Sequence, residues 1–203
     1  MSLERLRELP AYAPALLGAV ALAASAALAW AYDATRDHIA AAEARDLRAS
    51  LAQVLPAGFA DNDLLGDTLV LDGPRGAKVK VHRARRNDAV RGAVFSVAER
   101  GYTEDIVLLM AVDAGGTVLG VRVLKHRETP GLGDKIEAAR HPWIEGFAGK
   151  SLAGPTRWAV KKDGGDFDQF AGATITPRAV VKAVKGGLEF FEAHRREILG
   201  EQS

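Results

Sequence analysis

The stretch Ile106-Val107-Leu108-Leu109-Met110-Ala111-Val112-Asp113-Ala114-Gly115-Gly116-Thr117-Val118-Leu119-Gly120-Val121-Arg122-Val123-Leu124 decides the fold. Ile106 to Val112 and Val118 to Leu124 are apolar runs of strand length. Asp113-Ala114-Gly115-Gly116 between them is turn chemistry, so the whole reads as a hairpin. Upstream, Val90 to Val97 is a further run of the same kind, and the basic run Lys78 to Arg86 reads as a solvated strand face. Downstream, Asp134 to Ala139 and the segment after Pro177 have helical composition, and Lys161 to Gly165 is a short polar loop. No repeat or low-complexity linker divides this part of the chain. The expected fold is α+β, one domain with a mainly antiparallel sheet and flanking helices.

The loop leads into Asp168-Gln169-Phe170-Ala171-Gly172-Ala173-Thr174-Ile175-Thr176-Pro177. Thr176 followed by Pro177 reads as an N-cap with proline at the first helical position, where its missing N–H costs nothing. The helix that follows has a core face of Val180 or Val181, Val184, Leu188 and Phe191, with Arg178, Lys182, Lys185 and Glu189 mostly opposite. Gly172 and Ala173 bring at most a methyl group to the turn, so a bulky group can approach the main chain. Thr174 thus lies where free backbone N–H groups and the helix dipole would stabilise an attached phosphate.

This segment resembles the flavin-attachment motif of the FMN-binding domain family, in which the last Thr carries FMN through a phosphoester bond installed by a separate flavin transferase. That position is Thr174 here, and Ala171 stands where the family often has Ser or Thr. A second segment, Lys125-His126-Arg127-Glu128-Thr129-Pro130-Gly131-Leu132-Gly133-Asp134-Lys135-Ile136-Glu137, resembles the signature loop of the G subunits of Rnf electron transport complexes. The C subunit of the sodium-pumping NADH:quinone reductase shares the domain, usually in a longer chain. The resemblance covers nearly the whole chain, including Trp143, Phe147 and Gly149-Lys150. It implies covalent FMN on Thr174, with Asp168, Gly172, Ala173 and Thr176 completing the acceptor motif. It also implies Glu128, Thr129, Pro130, Gly131 and Leu132 as contacts to the flavin ring, and Tyr102 as a stacking residue in the loop before Ile106.

Composition excludes several other chemistries. With 27 basic and 26 acidic residues the formal net charge is +1, which gives no overall field for nucleic acid. The chain has no cysteine, so it carries no thiolate-held iron–sulfur cluster, zinc-thiolate site, CxxCH haem attachment or disulfide of its own. Gly131-Leu132-Gly133 lacks the third Gly of a dinucleotide fingerprint, having Ile136 in its place. Asp163, Asp166 and Asp168 do not fit a calcium-loop spacing. His141 and Glu145 are two groups only, and Pro142 between them marks a helix start rather than a metal site. No Ser/His/Asp constellation can be assembled, and neither a catalytic residue nor a metal ligand is expected.

Ala11 to Tyr32 contains no charged residue and is long enough, at ~1.5 Å per residue, to cross the ~30 Å hydrocarbon core. Tyr12, Trp30 and Tyr32 lie near its ends as interfacial anchors. The competing reading is a cleaved signal peptide, since Ala27-Leu28-Ala29 and Ala29-Trp30-Ala31 have the small-x-small pattern. The Ala-rich sequence runs on from Asp33 to Leu55 without a turn, which favours one helix leaving the bilayer. Arg5 and Arg7 precede the span while Arg36 follows among Asp33 and Asp37, so the expected N-terminus is cytoplasmic. The expected organisation is a cytoplasmic N-terminus over 1–10, a single transmembrane helix over 11–32, a helical stalk over 33–55 and a periplasmic FMN-binding domain over 56–203 at the inner membrane. The resemblance implies an electron-transferring subunit that works with the other membrane and cytoplasmic subunits of an ion-translocating ferredoxin:NAD oxidoreductase complex. Two alternatives stay open: a stand-alone membrane-anchored flavoprotein reductase, and a non-redox structural subunit.

Overall fold

A computed structural model describes residues 11–200. Arg5 and Arg7, on which the orientation of the span rests, lie outside the described residues. The first element, α1, is a helix over Tyr12–Val54, long and apolar enough to cross a membrane. Its length follows from Ala- and Leu-rich sequence free of Gly and Pro beyond Gly18, and Pro56 ends it by clashing with the preceding turn. Two compact units divide at Asp46 and Leu47. The second unit contains the last turns of α1 and everything that follows.

Five strands form one sheet in the order of the sequence: β1 (Thr68–Asp72), β2 (Lys78–Arg86), β3 (Ala89–Arg100), β4 (Asp105–Asp113) and β5 (Val118–Lys125). All four pairings are antiparallel, as the apolar runs and short connections predict. β2 turns into β3 through Asn87 and Asp88, both at positive φ (51° and 62°), the two-residue geometry that matches strand twist. β4 turns into β5 where the Asp113 side chain accepts from the Thr117 N–H at 2.8 Å. β1 was not legible, because TLVLD is short and offers no long alternation.

Both sheet faces are covered, which is why Leu108 to Val112 are all buried rather than alternating. On one face Leu71, Val81, Phe95, Met110 and Val121 pack against Val180, Val184, Leu188 and Phe191 of the helix α2 (Ile175–Ala193). That is the core face read from the sequence. On the other, Val94, Leu109 and Ala111 meet Leu51 and Val54 from the end of α1. A short helix α3 (Arg195–Leu199) follows α2.

Two expectations are corrected. Asp134 to Ala139 is not a helix but a single 3-10 turn, Gly133–Ile136, followed by further turns in which Glu137 N–H meets the Asp134 carbonyl and Arg140 N–H the Glu137 carbonyl. Pro142 forces His141 into an extended conformation and closes off any continuation. Thr176 is not the N-cap of α2. The helix begins two residues earlier, with Thr174 as N-cap and Ile175 the first helical residue, so Pro177 is third in the helix. All of the first-turn N–H groups lack intrahelical acceptors, so proline is tolerated there as well as at the first position.

Candidate functional site

The segment 168–176 is held at both ends and left bare in the middle. Upstream, the Trp143 indole N–H donates to the Asp168 carbonyl at 2.9 Å, and the Asp168 carboxylate pairs with Lys161 at 2.7 Å. The Gln169 side chain accepts from the Lys162 N–H at 3.1 Å. The Phe170 ring packs edge-on against Trp143 with centroids 5.2 Å apart, at the rim of a cluster in which Phe147 stacks on Phe167 at 4.5 Å and on Trp158 at 6.3 Å. A tight turn follows, with Ala173 N–H donating to the Phe170 carbonyl at 3.1 Å and Gly172 at φ 79°. Glycine takes that positive-φ third position at no steric cost.

Downstream, the anchor is Thr176. It is 2 % exposed, and its hydroxyl donates to Oε2 of Glu128, itself 4 % exposed. The same carboxylate accepts from the Tyr102 N–H at 3.0 Å and the Thr103 N–H at 3.3 Å. Glu128 thus ties together three segments: the loop after β3, the loop after β5 and the first turn of α2. The loop after β5 closes on itself, with the Leu132 and Gly133 N–H groups donating to the Thr129 carbonyl at 3.1 and 3.0 Å. Pro130 and Gly131 lie exposed at its tip. Nearby, Arg178 grips Asp163 through two hydrogen bonds of 2.6 Å, and this guanidinium holds the Asp163 carboxyl below the usual range.

Between the anchors, Thr174 is half-buried and makes no side-chain cap hydrogen bond. Three large apolar side chains of the segments joined here face solvent: Ile175, next in sequence, at 47 %, Leu132 at 40 %, and Tyr102, whose N–H binds Glu128, at 68 % exposure. A Cβ placed on Gly172 would touch Leu132 at 3.4 Å, so the two loops are in contact. These residues suit a flavin nucleotide. The first-turn N–H groups at the head of α2 would face a phosphate carried there, and the exposed apolar side chains would offer a surface for a flat ring.

The structure brings together Tyr102, Glu128, Leu132, Gly172, Thr174 and Thr176, all picked from the sequence. Glu128 lies beneath the surface with its oxygens engaged by protein donors, and Asp168 is spent on Lys161 and Trp143. The roles of Gly101 and Gly133 beside Glu128, and of Phe170 in the aromatic cluster, were missed. A glycine directly before Tyr102 is the one signal that could have been used. A concavity of about 860 Å³ lies elsewhere, where β2 and β3 splay beyond Val81 and Phe95 under α2. Its rim charges pair with one another, Lys182 with Glu99 and Lys78 with Asp72, and no motif residue lines it. Size alone does not make it the site.

Residues 101–189 match the family model of the FMN-binding domain, which defines the class of this fold and site. NqrC from Shewanella oneidensis, a solved structure, shares the architecture with a TM-score of 0.51 at 23 % identity, covering 71 % of this chain and 74 % of that one. Among curated relatives, the G subunit of the ion-translocating oxidoreductase complex of Cereibacter sphaeroides is 56 % identical over 187 residues, 91 % of this chain and 85 % of the relative. Those of Stutzerimonas stutzeri and Pseudomonas aeruginosa are 47 % and 45 % identical, each over 92 % of this chain and over 83 % and 91 % of their own length. The chain belongs to the family of G subunits of ion-translocating oxidoreductase complexes.

Proposed function

We propose that this chain is the flavin-carrying, electron-transferring subunit of a membrane-bound Rnf complex, with FMN joined by a phosphoester to Thr174. The observation that carries the reading is the bare stretch itself. Thr174 heads a long helix, its hydroxyl is not used as a cap, and the turn is fixed on both sides by other residues. A mere capping turn would spend the hydroxyl on the helix.

Bound FMN supplies one- and two-electron chemistry, and the protein supplies position and electrostatics. The N–H groups of Ile175 and Thr176 and the helix dipole stabilise the phosphate charge, a favourable term of about 0.3–1 kcal/mol for a surface site. Tyr102, Leu132 and Ile175 orient the ring. Among the described residues, no base hydrogen-bonds to Thr174 to make its hydroxyl a strong nucleophile, so a flavin transferase performs the attachment. α1 anchors the chain in the inner membrane among lipid, with residues 56–203 on the periplasmic side and the other Rnf subunits as partners. A covalent bond keeps the site filled where free FMN is scarce. The test is Thr174→Ala in a cell that makes the transferase. The variant should fold, reach the membrane and give a non-fluorescent band on a denaturing gel beside a fluorescent wild-type band. A variant band that keeps its fluorescence removes Thr174 as acceptor.

A further inference from the structure

We propose that Glu128 is a positioning residue for the flavin-bearing turn: its carboxylate fixes Thr176 and so holds Thr174 in the geometry that accepts the flavin phosphate. This rests on the reading of Thr174 as acceptor and adds how that acceptor is presented.

A carboxylate at 4 % exposure is costly unless its oxygens are satisfied. Here one oxygen takes the Tyr102 and Thr103 N–H groups, and the other takes the Thr176 hydroxyl. The flanking loops are pared back to admit it. A Cβ on Gly101 would sit 2.6 Å from Glu128 Oε1. One on Gly133 would sit 2.8 Å from the Glu128 Cβ and 2.9 Å from the Thr176 Oγ1. Gly133 thus leaves room for the contact itself, and Gly101 leaves room for the Glu128 carboxylate as well as for Ile106 and the Glu104 carbonyl, 2.8 and 2.9 Å from the same Cβ position. Stability alone does not call for such an arrangement, because a packed apolar pair of similar volume stabilises a core as well or better. What the polar contact adds is direction. A hydroxyl bonded to a fixed carboxylate sets the rotation of the first turn of α2, and Thr174 lies two residues before it. The upstream anchor at Trp143 and Asp168 holds the other end, so the acceptor is oriented without its own hydroxyl being used.

In the loading step the Thr174 hydroxyl gives up its proton to the transferase, and Oγ1 forms a bond to the flavin-side phosphorus of a flavin dinucleotide. The P–O bond to the departing nucleoside monophosphate breaks, and no electrons are exchanged. A displaced acceptor slows this step, since small misplacements of reacting groups are expensive in rate.

The experiment measures the rate of covalent flavin incorporation into the full-length chain in detergent, with transferase and flavin dinucleotide, by gel fluorescence and intact mass. Thermal unfolding is followed in parallel. Thr176→Val and Glu128→Ala are expected to load at least about tenfold more slowly than wild type while remaining folded. Thr176→Ser, which keeps the hydroxyl, should recover most of the rate. Glu128→Gln should do the same, because its carbonyl can accept from the two amides while its NH₂ donates to the Thr176 oxygen. The double variant should be no slower than the slower single one, as expected for two residues acting through one contact. If Glu128→Ala does not fold, Thr176→Val decides, since it leaves the carboxylate its two amide donors. Loading of Thr176→Val at the wild-type rate, with Thr174→Ala dark, overturns the positioning role and leaves the acceptor assignment standing. A wild-type chain that stays dark beside another substrate of the same transferase overturns both.

Discussion

His82 lies 5 % exposed on the sheet face opposite α2, with Nδ1 2.8 Å from the Leu64 carbonyl. Burial pushes its pKa down, the Leu64 carbonyl partly opposes this, and Lys80 adds to the lowering. The folded state therefore binds a proton less readily than the unfolded chain, whose histidine titrates near ~6.5. Stability from this group is fully present above about pH 6.5 and is lost as pH falls through that value toward the lower folded pKa. Thermal unfolding should show a falling midpoint between about pH 7 and 5, and His82→Gln should flatten the curve in that window. Asp67 acts in a more acidic range. Burial raises its carboxyl, but hydrogen bonds from Arg85 and Arg83 outweigh burial and leave it lowered, so its contribution fades only below about pH 4. At this scale the sequence named Thr174, Thr176 and Glu128 through motif resemblance but could not say what each touches. Burial of Glu128 depends on Gly101 and Gly133, which are far from each other in the chain and meet only in the fold.

The helix α2 carries two adjacent glycines that behave oppositely. A Cβ on Gly187 would fall 2.2 Å from the Met110 sulfur and 3.0 Å from a Val97 methyl, whereas one on Gly186 would meet nothing within 4 Å. Gly187→Ala should therefore destabilise by about 1–3 kcal/mol through overpacking, and Gly186→Ala should stabilise by about 0.5–1 kcal/mol through helix propensity. Denaturant unfolding of the two variants checks both signs. Among the elements, β3, β4, β5 and α2 were readable because each has a long apolar run or a full helical stripe. Asp134 to Ala139 misled because its composition is helical while Pro142 and the burial of Asp134 and Ile136 break it into turns. A Thr-Pro pair is a strong N-cap signal, yet α2 starts two residues before Pro177 because that threonine is bonded to Glu128 instead.

For the whole molecule, a membrane-length helix and one antiparallel domain are legible in the sequence, since each is a local pattern, and so is the small-residue turn before α2 on which the proposed acceptor lies. The assembly of the turn is not, because it joins the loop after β3, the loop after β5, the aromatic cluster and the first turn of α2 across long stretches of chain. Family membership and this assembly together support one account, in which an anchored domain without cysteine carries its redox group as a covalent flavin ester. The direct measurement is peptide mass mapping of the full chain purified from membranes of cells that make the flavin transferase. The account predicts one modified peptide, spanning Asp168 to Thr176, with the mass of FMN less one water placed on Thr174. An unmodified Thr174 in a chain from cells whose transferase modifies other substrates would contradict it.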